Sequence, residues 1–145
     1  MVPAIVTVVI VAALFLIYSN SSSIGGVLSA MTIHGLAQQA GFSGDDLVIA
    51  VAVALAESGG NASAYNPETA AVGGTPVNQG SFGLWQIYLK DHLEFSGDNL
   101  YDPQTNANDA YELYIKAGNS FSPWSTFKNG AYWAHMDVAR AAIQA

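Results

Sequence analysis

One ionisable side chain, Glu57, ends the apolar run Val48 to Ala56, and the chain breaks at once on Ser58, Gly59 and Gly60. The run is helical in character, so the carboxyl group stands at a helix C-terminus. Unpaired carbonyls make the potential there negative, and apolar neighbours limit solvation; both effects raise the pKa of a carboxylic acid. A glutamic acid still protonated near neutral pH is a general acid of the kind that cleavage of a glycosidic bond requires. Read without chemistry, the same residue is a solvated carboxylate at a helix end, and position alone does not choose between the two.

Other chemistries find little support. His34, His92 and His135 are scattered and lack the His-Glu-x-x-His spacing, and there is no cysteine. Disulfides and thiolate metal sites are therefore excluded, and neither a histidine-bound metal nor a cofactor is expected. The net charge is −7, and Lys90, Lys116, Lys128 and Arg140 are the only basic side chains. Nucleic-acid affinity rests on clustered Lys and Arg, so a phosphate backbone is not the expected partner. A neutral or mixed-charge sugar polymer is compatible with this balance.

At 145 residues the chain is one domain's worth and can bury a core without crosslinks. Apolar residues at Val27, Met31, Ile33 and Leu36 predict an amphipathic helix over 24–40, with Gly41 as its stop. Ser43 then offers an N-cap with Asp46 as a capping-box-like partner, opening a helix that runs to Glu57. That helix is apolar nearly all round and should be the buried centre of the domain. Residues 61–80, rich in Gly, Pro and Asn, read as loop or short β-hairpin. Asp102-Pro103 opens a further helix closed by Gly118, with Ala107, Ala110, Tyr111, Tyr114 and Ile115 as its apolar stripe. A last helical stretch over 130–145 carries Tyr132, Trp133, Met136, Val138 and Ile143. The expected class is predominantly α with a small β region, an α+β domain.

The first twenty residues are a different material. Val2 to Tyr18 holds no charge and one polar aliphatic residue, Thr7. As a helix it would rise about 25 Å, slightly short of a ~30 Å hydrocarbon core, with flanking residues making up the difference. A cleaved secretory signal is the alternative. No Lys or Arg precedes the run and no small-x-small pattern follows it, which favours an uncleaved single span with Tyr18 at an interface. The expected organisation is a transmembrane anchor over 1–20, a linker and helix start over 21–29, and a globular domain over 30–145. Membrane lipid is then a partner through residues 2–18.

Four segments occur in a telling order: AESGGN (56–61), GSFGLWQI (80–87), LYDPQTNANDA (100–110) and FSPWSTFKNGAYW (121–133). Together they resemble the lytic transglycosylases of the lysozyme-like superfamily, of the soluble-lytic-transglycosylase type, and especially the short versions in bacteriophage virion proteins and lysins. The resemblance covers about residues 30 to 135. It implies a lysozyme-like fold and cleavage of the β-1,4 bond between N-acetylmuramic acid and N-acetylglucosamine in peptidoglycan, with a 1,6-anhydro ring formed and no water consumed. Glu57 becomes the single catalytic acid and base, with Ser58 orienting the reacting group. Gly83, Leu84, Trp85, Gln86 and Ile87 match the segment that shapes the glycan cleft, Gln86 being placed to hydrogen-bond sugar; many relatives carry Met at the position of Trp85.

The resemblance gives Asn106 and Ala107 a structural role behind the cleft. The last motif departs from the commoner Ala-Tyr-Asn-x-Gly form. If Phe127 holds the usual Tyr position, it has no hydroxyl for the acid; Tyr132 supplies one instead, or is a core residue. Trp124 is likewise a cleft wall or a core aromatic. A hydrolytic lysozyme with Glu68 or Asp102 as second carboxylate is the alternative activity, and a non-catalytic glycan-binding virion component the alternative class. With the anchor, the resemblance implies a phage product in a virion membrane or host cell envelope, with peptidoglycan strands and other virion proteins as partners and local wall opening during genome delivery as its purpose.

Overall fold

The computed structural model describes residues 26–67 and 80–145. The apolar segment expected to span a membrane, and Glu68, lie outside the described residues. Among the described residues no helix is long and apolar enough to cross a membrane.

Helix α1 (Ala30–Ala40) is shorter than its hydrophobic pattern. Ser29 stands at the N-cap, its hydroxyl accepting from the Thr32 N–H at 3.1 Å, and this fixes the start. Val27, expected inside the helix, instead forms a β-bridge to Asn61 and is half exposed. Gly41 is the stop, its N–H reaching back to the carbonyls of Ala37 and Gln38.

Helix α2 (Gly44–Ser58) is the central element, with Ala50, Val51, Ala52, Val53 and Ala54 fully enclosed. Alternating alanines allow α1, the C-terminal helix and the turn before it to pack around it. Ser43 occupies the N-cap position without a side-chain cap, and the carboxylate of Asp46, the expected reciprocal partner, accepts instead from the Tyr114 hydroxyl.

Three short strands follow: β1 (Tyr65–Asn66), β2 (Ser81–Phe82) and β3 (Ile87–Tyr88), antiparallel in that order. Tyr65 pairs with Phe82 and Asn66 with Ser81; Phe82 pairs in turn with Ile87. After a 3₁₀ turn at Leu93–Phe95, helix α3 (Pro103–Lys116) begins as expected, Asp102 accepting from the Thr105 N–H at 2.9 Å with proline at the first helical position. Its buried face runs through Asn106, Ala107, Ala110, Leu113 and Tyr114 and includes Asp109. Ile115 is 45% exposed, which corrects the predicted stripe: it lies five positions past Ala110, about 140° round the helix.

A one-turn helix, α4 (Ser125–Lys128), is followed by Gly130 at φ 80°. The helical stretch expected over 130–145 is split into a 3₁₀ segment at Ala131–His135 and α5 (Met136–Gln144). A cluster of rings, Phe42, Tyr111, Tyr114, Phe121 and Trp124, joins α3 to the segment before α4. The observed class is mostly helical with one small sheet.

Candidate active site

Glu57 sits in the last turn of α2, half buried, where the apolar run gives way to the turn Gly59-Gly60. Its carboxylate Oε1 accepts a hydrogen bond from the Thr126 hydroxyl at 2.7 Å. Thr126 lies on α4, 69 positions along the chain, so the acid is held between the central helix and a C-terminal turn. Beside it opens a cleft of about 280 Å³ lined by Glu57, Asn66, Ser81, Gln86, Tyr88, Pro123, Trp124 and Ser125. Among the described residues Glu57 is the one carboxylate in that lining, and no Lys or Arg joins it.

Gln86 forms part of the wall in a conformation that is uncommon for a residue with a side chain, φ 46°. Its side-chain nitrogen donates to the carbonyls of Ala64 (3.1 Å) and Gly83 (3.0 Å). Carbonyls only accept, so the amide's orientation is settled, and Oε1 is the atom Gln86 can offer a ligand. The strained backbone is held by these bonds and by the turn beneath them.

That turn depends on a buried polar anchor. Asn106 is fully enclosed; its Oδ1 accepts from the Trp85 N–H at 2.8 Å, and its Nδ2 donates to the carbonyls of Phe82 (2.9 Å) and Leu100 (3.0 Å). Gly83 must be glycine: at φ 74° an added Cβ would stand 2.2 Å from the Leu100 carbonyl and 2.4 Å from Asn106 Nδ2. The close approach turns the next two side chains inward. Leu84 and Trp85 are fully buried, and the Trp85 indole donates to the Ala50 carbonyl of α2 at 3.0 Å. They carry the cleft from behind, whereas the sequence suggested that they touch glycan; Gly83 likewise shapes the turn without lining the cleft.

The remaining expectations fall as follows. Ser58 hydrogen-bonds locally, its hydroxyl donating to the Ala54 carbonyl (2.9 Å) and accepting from the Gly60 N–H (3.2 Å), so it shapes the turn behind Glu57. Tyr132 is buried between the rings of Phe127 (centroids 4.9 Å apart) and Trp133 (5.1 Å) and is not part of the lining. Trp124 serves both of its alternatives, lining the cleft while its indole donates to the Trp85 carbonyl at 2.7 Å. Asp102 is occupied as the cap of α3.

Sequence reasoning missed Thr126. It found no hydroxyl at Phe127 and sought one at Tyr132, when the residue beside Phe127 carries one; a search for any hydroxyl within one position of Phe127 would have found it. Among the described residues no group of His, Asp and Glu side chains is disposed to hold a metal.

The site thus combines a cleft, an acid at the end of the central helix and a small sheet forming one wall. The model of the family described as "Lysozyme like domain" matches residues 34–126, which includes Glu57, Gln86 and Thr126. Comparison with curated proteins and with solved structures gives no match. The chain belongs to the lysozyme-like lytic transglycosylase family.

Proposed function

We propose that the protein is a membrane-anchored lytic transglycosylase that cuts the β-1,4 bond between N-acetylmuramic acid and N-acetylglucosamine in peptidoglycan. The observation that carries this reading is the solitary carboxylate: among the described residues Glu57 alone supplies an acid to the cleft lining. Glycosidases that use water or a covalent intermediate ordinarily place two carboxyl groups across the scissile bond. One carboxyl group suffices when the substrate provides the rest.

In this mechanism Glu57 donates its proton to the leaving glycosidic oxygen while the substrate's acetamido group stabilises the positive charge at C1. The Glu57 carboxylate then takes the proton from the C6 hydroxyl, whose oxygen attacks C1 and closes the 1,6-anhydro ring. One acid thus acts twice and is returned in its starting form. Thr126, donating to Oε1, holds the Glu57 carboxyl group in place between α2 and α4. Gln86 Oε1 can accept from a sugar N–H or O–H.

Mass spectrometry of the fragments released from purified peptidoglycan tests this. Products ending in 1,6-anhydro-N-acetylmuramic acid, lost in Glu57→Gln, are the expected result. Reducing ends would make the enzyme a hydrolytic lysozyme, and an unimpaired Glu57→Gln variant would remove Glu57 from the chemistry. The anchor is supported by the uncharged run Val2 to Tyr18, and retention of the full chain in bilayers after alkaline extraction is its test. A phage particle with a membrane, opening the wall locally during genome delivery, is the setting proposed from the family resemblance together with that run. Detection of the protein in purified particles would support it, and absence from them would favour a bacterial envelope enzyme.

A further inference from the structure

The turn that follows Glu57 does not stand alone. Leu28 donates its backbone N–H to the Gly60 carbonyl at 2.8 Å, and Val27 pairs with Asn61 in an antiparallel bridge. Gly60 is buried at φ 85°, and a Cβ there would lie 2.6 Å from the Leu28 carbonyl, so only glycine allows the two backbones to meet so closely. From this contact the bonds continue toward the cleft. Asn61 donates to the Ser58 carbonyl (3.1 Å) and accepts from Ala64 (3.1 Å). The Ala64 carbonyl in turn accepts from the Gly83 N–H (2.8 Å) and from the Gln86 side chain (3.1 Å).

We infer that Val27-Leu28 is a positioning clasp for the reaction, a strand outside the cleft that fixes the segment joining Glu57 to the Gln86 wall. The inference rests on Glu57 being the catalytic acid. Its physical basis is that the segment leaves α2 through two glycines at positive φ, Gly59 and Gly60, and that the other bonds of Ser58, Gly59 and Ser63 run back to Ala54 and Leu55 of α2 or stay within the turn. The clasp is the connection that ties this turn to α1, whose start Ser29 fixes one residue later. The same strand is the stretch through which the apolar segment at 2–18 joins the domain. A displacement of that junction therefore reaches the acid and the cleft wall through backbone hydrogen bonds.

The test uses the full chain in vesicles and compares Leu28→Pro with Leu28→Ala. Both shorten the side chain, but only proline removes the N–H donor. Val27 is extended, as a residue preceding proline must be. On soluble uncrosslinked glycan strands, Leu28→Pro should lower kcat by about tenfold or more relative to Leu28→Ala, since misplacement of a reacting group by about 1 Å can cost a hundredfold. KM and Tm should stay close to those of Leu28→Ala, a split that a merely structural bond would not produce. Gly60→Ala, which forces the same two backbones apart, should show the same kcat loss. Equal kcat in the proline and alanine variants, or a loss that simply follows Tm, overturns the clasp. Retained activity in Glu57→Gln overturns the catalytic reading itself, whereas an inactive Glu57→Gln beside equal Leu28 variants overturns the clasp alone.

Discussion

Replacing Asn106 by alanine should be the most damaging single change to the cleft that leaves every lining residue in place. The side chain is fully enclosed and satisfies three backbone groups, the Trp85 N–H and the carbonyls of Phe82 and Leu100. Alanine leaves all three buried without these partners, at about 1–3 kcal/mol each, and leaves a small cavity besides. Partial relaxation and water entry bring the sum toward the low end, about 4 kcal/mol. Against a domain stability of about 5–15 kcal/mol this is a large share. With a urea m-value of about 2 kcal/mol/M, the midpoint should fall by about 2 M. Tryptophan fluorescence follows the transition directly, because Trp85 and Trp124 are both buried and both hydrogen-bonded to the affected region. A midpoint within 0.3 M of wild type, on the order of 0.5 kcal/mol, would refute the argument that Asn106 anchors the turn.

Three further outcomes are expected. Thr126→Val removes the donor to Glu57 and should cut turnover by about ten- to a hundredfold with Tm nearly unchanged, while Thr126→Ser restores it; a fully active valine variant would show that the acid needs no such partner. Burial, with Asp98 and Glu112 close by, pushes the Asp109 carboxyl up to about 7 from 3.8, so its folded form holds a proton that the unfolded chain has lost. That stability is complete below about pH 4 and lost as pH rises through 7, at most about 4 kcal/mol; Tm measured from pH 4 to 8 should fall more steeply in wild type than in Asp109→Asn, and parallel curves would contradict it. Tyr114→Phe deprives Asp46 of its hydroxyl donor and should cost about 1.5–3 kcal/mol, read as a lowered Tm; an unchanged Tm would mean that the pair contributes nothing.

What was legible in the sequence was local or periodic. The Asp102-Pro103 start of α3 needs only neighbours three positions away, and the enclosed run of α2 announces itself by composition. The reciprocal half of the capping box expected at Ser43 is absent because the Asp46 carboxylate is engaged by Tyr114, 68 positions distant, a competitor that no local pattern contains. The family motif located the cleft-forming turn but not the direction of its side chains. The crowding of Gly83 against Leu100 and Asn106 settles that direction, sending Leu84 and Trp85 into the core. Thr126 was missed for a related reason: its value lies in an oxygen brought to Glu57 by tertiary packing, and its place beside Phe127 in the motif is the one local sign of it.

The two indole bonds, Trp85 to the Ala50 carbonyl and Trp124 to the Trp85 carbonyl, have a bearing on how the molecule comes into being. They stitch three stretches of chain in sequence order, the central helix first, the cleft turn second and the segment before α4 last. The seat of Thr126 depends on that last stitch. Contacts between such distant stretches close late, since the chain entropy they consume is recovered only once the intervening parts are in place. A nascent or partly folded molecule accordingly has its acid but not its support. In refolding, recovery of any peptidoglycan-cleaving activity should lag behind recovery of helix.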